Sequence, residues 1–181
     1  MLIRAVREED IPACLRIYNH YVLLSEVTFD IEPLDLSQYT EKYRRITARY
    51  PWIVLEEEGR LLGYAYLDAY NPKYAYRFTA DVTIYLDPEA KGKGYGRQLF
   101  RRLIEIAEAD RYQTLFSLVT KTNRPSIHMH EAFGFRKLAV LEQAGFKHGA
   151  WLSTILYEKR IGNYPTPPEE VLNLDAGEVV L

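Results

Sequence analysis

The sequence predicts an α+β domain around one sheet, and three observations carry that expectation. Segments with two-residue alternation interleave with segments at helical spacing, in the order β-α-α-β-β-β-α-β-α-β-β. Glycine and proline punctuate the junctions between them. A chain of 181 residues, 48% hydrophobic and 27% charged, has the size and composition of one globular domain with its own core.

The elements follow in order. "LIRAV" (Leu2 to Val6) alternates as a short strand. Ile11, Cys14, Leu15, Tyr18 and Val22 then fall at helical spacing, with Asp10 as the expected N-cap. "SEVTFDIEPLD" has no period and reads as an ordered loop. A second, more polar helix spans about Leu36 to Arg49 and ends before Pro51. "WIVLEEE" turns through Gly59-Arg60 into "LLGYAYLDAY", an antiparallel hairpin. The "YAYRFTADVTIYLD" strand follows the "NPK" turn. From Ala80 it alternates, with Val82, Ile84 and Leu86 on one face and Asp81, Thr83 and Tyr85 on the other. A glycine-rich turn leads into a helix that presents Leu99, Leu103, Ile106 and Ala107. "TLFSLVT" reads as a buried strand. A helix begins near Asn123 to Pro125 and Gly134 is placed to end it. "KLAVLEQAGF" and "GAWLSTILYEKRI" close the domain as two strands. Residues 162–181 carry three prolines, four carboxylates and no Lys or Arg, so a tail is expected outside a domain of residues 1–161.

Composition narrows the function. A formal net charge of −2 gives no reason to expect a nucleic-acid or anionic-membrane partner. Cys14 is the single cysteine, so no internal disulfide or multi-cysteine metal site is available, and its place on an apolar stripe marks it as core packing. His20 and His148 have no metal-ligand spacing with the other histidines, and no metal is expected. Without an N-terminal apolar signal region or a run of about eighteen apolar residues, a cytoplasmic location is expected.

The chemistry-bearing motif is "DPEAKGKGYGRQLF" (Asp87 to Phe100), with glycines at 92, 94 and 96 between a strand and a helix. A P-loop would need Ser or Thr after Gly92-Lys93, where Gly94 stands. A dinucleotide fingerprint would need glycine at 97, which is Arg. What fits is an anion held by backbone N–H groups at a helix start, where the macrodipole adds to Lys91, Lys93 and Arg97. A plain glycine-rich connection competes with it.

"KGKGYG" after a strand resembles the Arg/Gln-x-x-Gly-x-Gly/Ala signature of the GNAT superfamily of acyl-CoA-dependent N-acyltransferases, with Lys91 in place of the first Arg or Gln. "DIPACLRIYNHYVLLSEVTFDIEP", "GYAYLDAY", "YAYRFTADVTIYL", "NRPSIHMHEAFGF" and "AGFKHGAWLSTILYEKR" extend the likeness, in order, over roughly residues 2–160. Together they resemble the phosphinothricin N-acetyltransferase-like branch. The resemblance implies the GNAT fold: a mixed, mostly antiparallel sheet of about seven strands flanked by about four helices. It implies acetyl-CoA as co-substrate, direct transfer to a small amino-acid-like amine, and a homodimer. For the coenzyme it implies contacts from Ile84, Tyr85 and Leu86, from Gly92, Lys93, Gly94, Tyr95, Gly96 and Arg97, and from Asn123.

N-acetyl transfer requires that the amine lose a proton and that the oxyanion and leaving thiolate be stabilised. The branch places a catalytic glutamate where this chain reads "FTADVTIY", so Asp81 is the expected base, one methylene shorter. Seven residues after Asn123, where many family members carry a proton-donating tyrosine, stands His130. The run "KYAYR" matches an acceptor-binding motif of the branch, giving Lys73, Tyr74 and Tyr76, with lysine in place of the first arginine. Asp30 in "TFDIEP" is a candidate to attract the amine. Two rivals stay open: a protein or peptide N-acetyltransferase, and an acyl-CoA-binding module with weak catalysis.

Overall fold

A computed structural model describes residues 1–172 and the backbone of 179–180. The seven expected strands are β1 (Leu2–Ala5), β2 (Trp52–Glu57), β3 (Arg60–Ala69), β4 (Thr79–Leu86), β5 (Thr114–Thr120), β6 (Arg136–Lys147) and β7 (Ala150–Arg160). The helices are α1 (Ile11–Leu24), α2 (Leu36–Thr47), α3 (Tyr95–Ala109) and α4 (Arg124–Ala132). A two-residue β8 (Val179–Val180) adds to the outer edge of β1. The sheet order is β6-β7-β5-β4-β3-β2-β1-β8. Among the described residues only β4 and β5 pair in parallel, because α3 carries the chain across between them.

Both faces of the sheet centre are covered. Residues Leu61 to Leu67 of β3 form one continuous buried run, as a strand with helices on each side requires. On one face α3 sets Leu99, Phe100 and Leu103 against Ile53, Leu55, Ala65 and Val82. Each of these Leu, Ile, Phe and Val side chains contributes about 1.5–3 kcal/mol through burial. On the other face α1 and α2 set Cys14, Ile17, Tyr18, Tyr21 and Tyr39 against Trp52, Val54, Tyr64 and Tyr66. The alternation expected for β4 is therefore realised: Val82 faces α3, while Tyr85 packs with the tyrosines under α1.

Three local expectations are corrected. Asp10 does not cap α1, because its carboxylate accepts from the Arg7 backbone N–H (2.7 Å) and from both terminal nitrogens of buried Arg4 (2.7 and 2.9 Å). Burial raises the Asp10 pKa, but these donors outweigh it and hold the group below its ordinary range. The β2–β3 turn sits on Glu58 and Gly59, both at positive φ, one residue earlier than expected. β4 starts at Thr79, not Tyr74. Residues Tyr74–Tyr76 form a 3-10 turn, and the Arg77 guanidinium stacks over the rings of Tyr74 and Phe78.

The tail expected over 162–181 lies against the domain where it is described. Gln113 accepts from the Tyr164 N–H (2.9 Å), Arg111 pairs with Glu169 (3.2 Å) and Arg77 with Glu170 (2.9 Å). Positions 173–178 and 181 of that expectation fall outside the described residues.

Candidate active site

The site begins where two strands separate. β4 and β5 pair only through Thr79↔Thr114, Ala80↔Leu115 and Asp81↔Phe116. Beyond Asp81 the strands part, and the Ser117 hydroxyl reaches the Val82 carbonyl at 3.4 Å. A cleft of about 90 Å³ opens there, lined by Asp81, Thr83, Ser117, Asn123, Ser126 and His130. It shares Ile84, Tyr85 and Asn123 with a more apolar groove of about 390 Å³ that runs past Leu86, Gly92, Gly96 and Met129. The exposed edge of β4 and the glycine turn thus line one channel.

The glycine turn joins β4 to α3. Asp87 starts it, accepting from the Glu89 N–H (3.0 Å) and pairing with Arg60 (3.3 Å) and Arg16 (3.5 Å). Gly92 and Gly94 adopt φ of 79° and 84°, and Gly94 is the N-cap of α3. A Cβ at either would meet nothing within 4 Å, so glycine is needed for the turn's hand and not for clearance. Gly96 serves differently: a Cβ there would stand 3.0 Å from Leu86 Cδ1, so glycine lets α3 lie close on β4. The fifteen residues of α3 direct their first free N–H groups and the positive end of the macrodipole at this turn. Lys91 lies over the Tyr21 ring (4.9 Å) and Arg97 over Phe133 (5.5 Å). Lys93 is exposed. Tyr95 is turned towards β2, donating to Glu57 (2.6 Å).

Asp81 faces the opposite layer, with Thr83 and Tyr85. Its register partner on β3 is Asp68, which is held by Arg45 through bonds of 2.9 and 2.8 Å. Burial first, and the Asp68 charge second, raise the Asp81 carboxyl to about 7. The Tyr18 ring stands edge-on to Tyr85 at 5.5 Å. The loop between α1 and α2 roofs this face, tied down by Thr120 to the Glu26 carbonyl (2.6 Å) and by Lys147 to the Thr28 carbonyl (2.8 Å). Asp30 lies in that roof and accepts from the Tyr18 hydroxyl.

His130 enters the cleft from α4 and is buried among Phe100, Phe135 and Tyr157. Nδ1 lies 2.8 Å from the Ser126 carbonyl, which assigns the proton to Nδ1. Nε2 has no partner among the described residues. Burial lowers the imidazole pKa, outweighing the carbonyl's opposite pull. The ring is neutral at pH 7 and offers Nε2 as an acceptor. Asn123 caps α4, accepting from the Ser126 N–H (3.3 Å), and lines both cavities.

The acceptor candidates divide. Tyr76 packs on Tyr70 (5.6 Å), whose ring stacks 4.4 Å from Phe116, the register partner of Asp81. Lys73 and Tyr74 instead line a separate groove with Arg49, Tyr50, Glu170 and Val171. Tyr18, Tyr66 and Lys42, which the sequence reading did not single out as site residues, lie on the Asp81 face. Tyr18 carried only the helical spacing of a core stripe. Among the described residues no group of His, Cys, Asp or Glu could hold a metal ion, and no helix is long and apolar enough to cross a membrane.

The model of the acetyltransferase (GNAT) family matches residues 14–135. The chain belongs to the GNAT family. It is 37% identical to a phosphinothricin N-acetyltransferase of Alcaligenes faecalis, over 87% of this chain and 81% of the relative. An L-methionine sulfoximine/L-methionine sulfone acetyltransferase of Salmonella typhimurium is 30% identical, over 92% and 98%. Among solved structures, a GNAT superfamily phosphinothricin acetyltransferase of Sinorhizobium meliloti in complex with acetyl-CoA superimposes with a TM-score of 0.87. Identity is 32%, with 93% of this chain and 92% of that one covered. These relatives support the phosphinothricin N-acetyltransferase-like branch, and the protein is an N-acetyltransferase with the expected GNAT fold.

Proposed function

We propose that this GNAT protein, as a cytoplasmic homodimer, transfers the acetyl group of acetyl-CoA to the amino group of a small amino-acid-like acceptor. The phosphinothricin and methionine sulfoximine type is the class favoured by its relatives. One observation carries the reading: a carboxyl with a pKa of about 7 stands where β4 and β5 part, at the mouth of the channel from the glycine turn.

Acetyl-CoA supplies the thioester and its leaving thiolate. The residues present fit it: the glycine turn at the start of α3 suits its pyrophosphate. The β4 edge at Ile84 and Tyr85, beyond the pairing with β5, suits the amides of its pantetheine arm, while the Leu86 carbonyl accepts from the Tyr21 hydroxyl (2.7 Å). Asn123 lines the channel between the two cavities. Asp81 takes a proton from the acceptor ammonium, through a water because its side chain is short. His130 offers Nε2 to a donor in the cleft. An acyl-enzyme on Cys14 has no support, because the thiol is buried and burial pushes its pKa up, away from the nucleophilic thiolate. Release of free thiol from acetyl-CoA, measured over a panel of amines with the product identified by mass, tests the reading. Turnover with methionine sulfoximine or phosphinothricin is expected. Coenzyme binding without thiol release on any amine would instead identify a binding module.

A further inference from the structure

The helical layer over the Asp81 face carries a lysine that no ion pair uses among the described residues. Lys42 projects from α2, and its Nζ stands 4.5 Å from the centroid of the Tyr18 ring, 5.6 Å from Tyr66 and 5.8 Å from Tyr39. Ring faces attract a cation through their quadrupoles but leave its N–H donors without lone pairs to meet. Two carboxylates act on it from a distance, Asp30 and Asp68. Each already has a donor: the Tyr18 hydroxyl on Asp30, and the Arg45 guanidinium on Asp68. Among the described residues Nζ forms neither a hydrogen bond nor an ion pair. Burial accordingly pushes Lys42 below the ordinary lysine range, against the pull of those two charges. A half-desolvated ammonium in this condition gains from an anion that brings its own acceptors.

Its position suits the acceptor. Tyr66, one wall of the aromatic nest, is the register partner of Thr83, which lies two residues from Asp81 on the same strand face. Alternate residues on a strand are about 7 Å apart. Asp68 bears electrostatically on both Lys42 and Asp81, so the two groups border one patch. Lys73, the cation that the "KYAYR" run offers for an acceptor's carboxylate, lies instead in the groove beside Glu170.

We propose that Lys42 receives the α-carboxylate of the acceptor while Asp81 takes the proton from its amino group. The inference rests on the amino-acid reading above and deepens it. It makes Lys42 the residue that distinguishes an amino acid from a simple amine.

The test compares methionine sulfoximine with its α-carboxamide as acceptors for the wild type, Lys42→Met and Lys42→Arg. The wild type should favour the acid. Lys42→Met should raise KM for the acid by about tenfold to a hundredfold. It should leave KM for the amide and for acetyl-CoA in place, collapsing the acid-to-amide ratio, and Lys42→Arg should restore much of it. The ratio is internal to each variant, so loss of folded protein lowers both activities without moving it. An unchanged ratio in Lys42→Met, with the wild type active on the acid, would overturn the role of Lys42 alone. A wild type that acetylates neither compound, nor any other amino acid, would overturn the amino-acid reading and the lysine's role with it.

Discussion

Asp68 and Asp81 face each other across two strands, and their neighbours divide their roles. Asp68 is clamped by Arg45, whereas no cation pairs with Asp81 among the described residues. Removing the Asp81 charge should lower kcat by about 10²–10⁴-fold and leave KM for acetyl-CoA unchanged, as steady-state kinetics of Asp81→Asn would report. In the wild type kcat/KM should fall with acid around the Asp81 pKa of about 7, and this limb should vanish in the variant. The stability effect has the opposite sign to that of a salt-bridged carboxylate. A raised pKa means that the native state binds the proton more tightly than the unfolded chain. Stability is therefore lost as pH rises from the unfolded value of 3.8 through about 7. Asp81→Asn escapes that loss, so its melting temperature should gain on the wild type between pH 5 and pH 8. The resemblance of "FTADVTIY" to the branch's glutamate strand made this residue legible, and alternation put it on one face with Thr83 and Tyr85. The opposing Asp68 was not legible, because strand register sets it.

At the scale of elements, the turn before α3 and the edge of β4 line one groove. The turn itself is readable from spacing, three glycines between a strand and a helix, whereas its coenzyme role comes from the resemblance of "KGKGYG" to the GNAT signature. Their separate tasks were not readable. Gly92 and Gly94 supply positive φ, while Gly96 supplies clearance for Leu86. Gly94→Val is strained at φ 84° and sets a branched side chain in front of the amides. Calorimetry should find acetyl-CoA binding weakened by at least about tenfold, whereas Gly94→Asn, tolerant of that φ, should lose less. Unchanged affinity in Gly94→Val would remove the turn from the coenzyme site. The start of β4 departs from the sequence expectation for a comparable reason. "YAYRF" has strand-like composition, yet stacking of Arg77 between Tyr74 and Phe78 holds it as a turn.

For the whole molecule, the sheet is covered unevenly. The β3 centre is buried on both faces, while Leu118, Phe146 and Trp151 on β5, β6 and β7 are more than half exposed. Phe146 and Trp151 are register partners with rings 5.4 Å apart, a ready aromatic anchor for the proposed homodimer. Trp151→Glu should shift light-scattering mass from dimer to monomer. A wild type that is monomeric at micromolar concentration would end the dimer proposal.

The sequence by itself determined the elements, the two faces of β4 and the glycine turn before α3, because these depend on periods of two or 3.6 residues and on glycine's backbone freedom. Tertiary structure alone decided that β4 and β5 part at Asp81, that Asp68 opposes it, and that Lys42 shares its face while Lys73 does not. Those relations join residues far apart in the chain through strand register and layer packing, which no local pattern encodes.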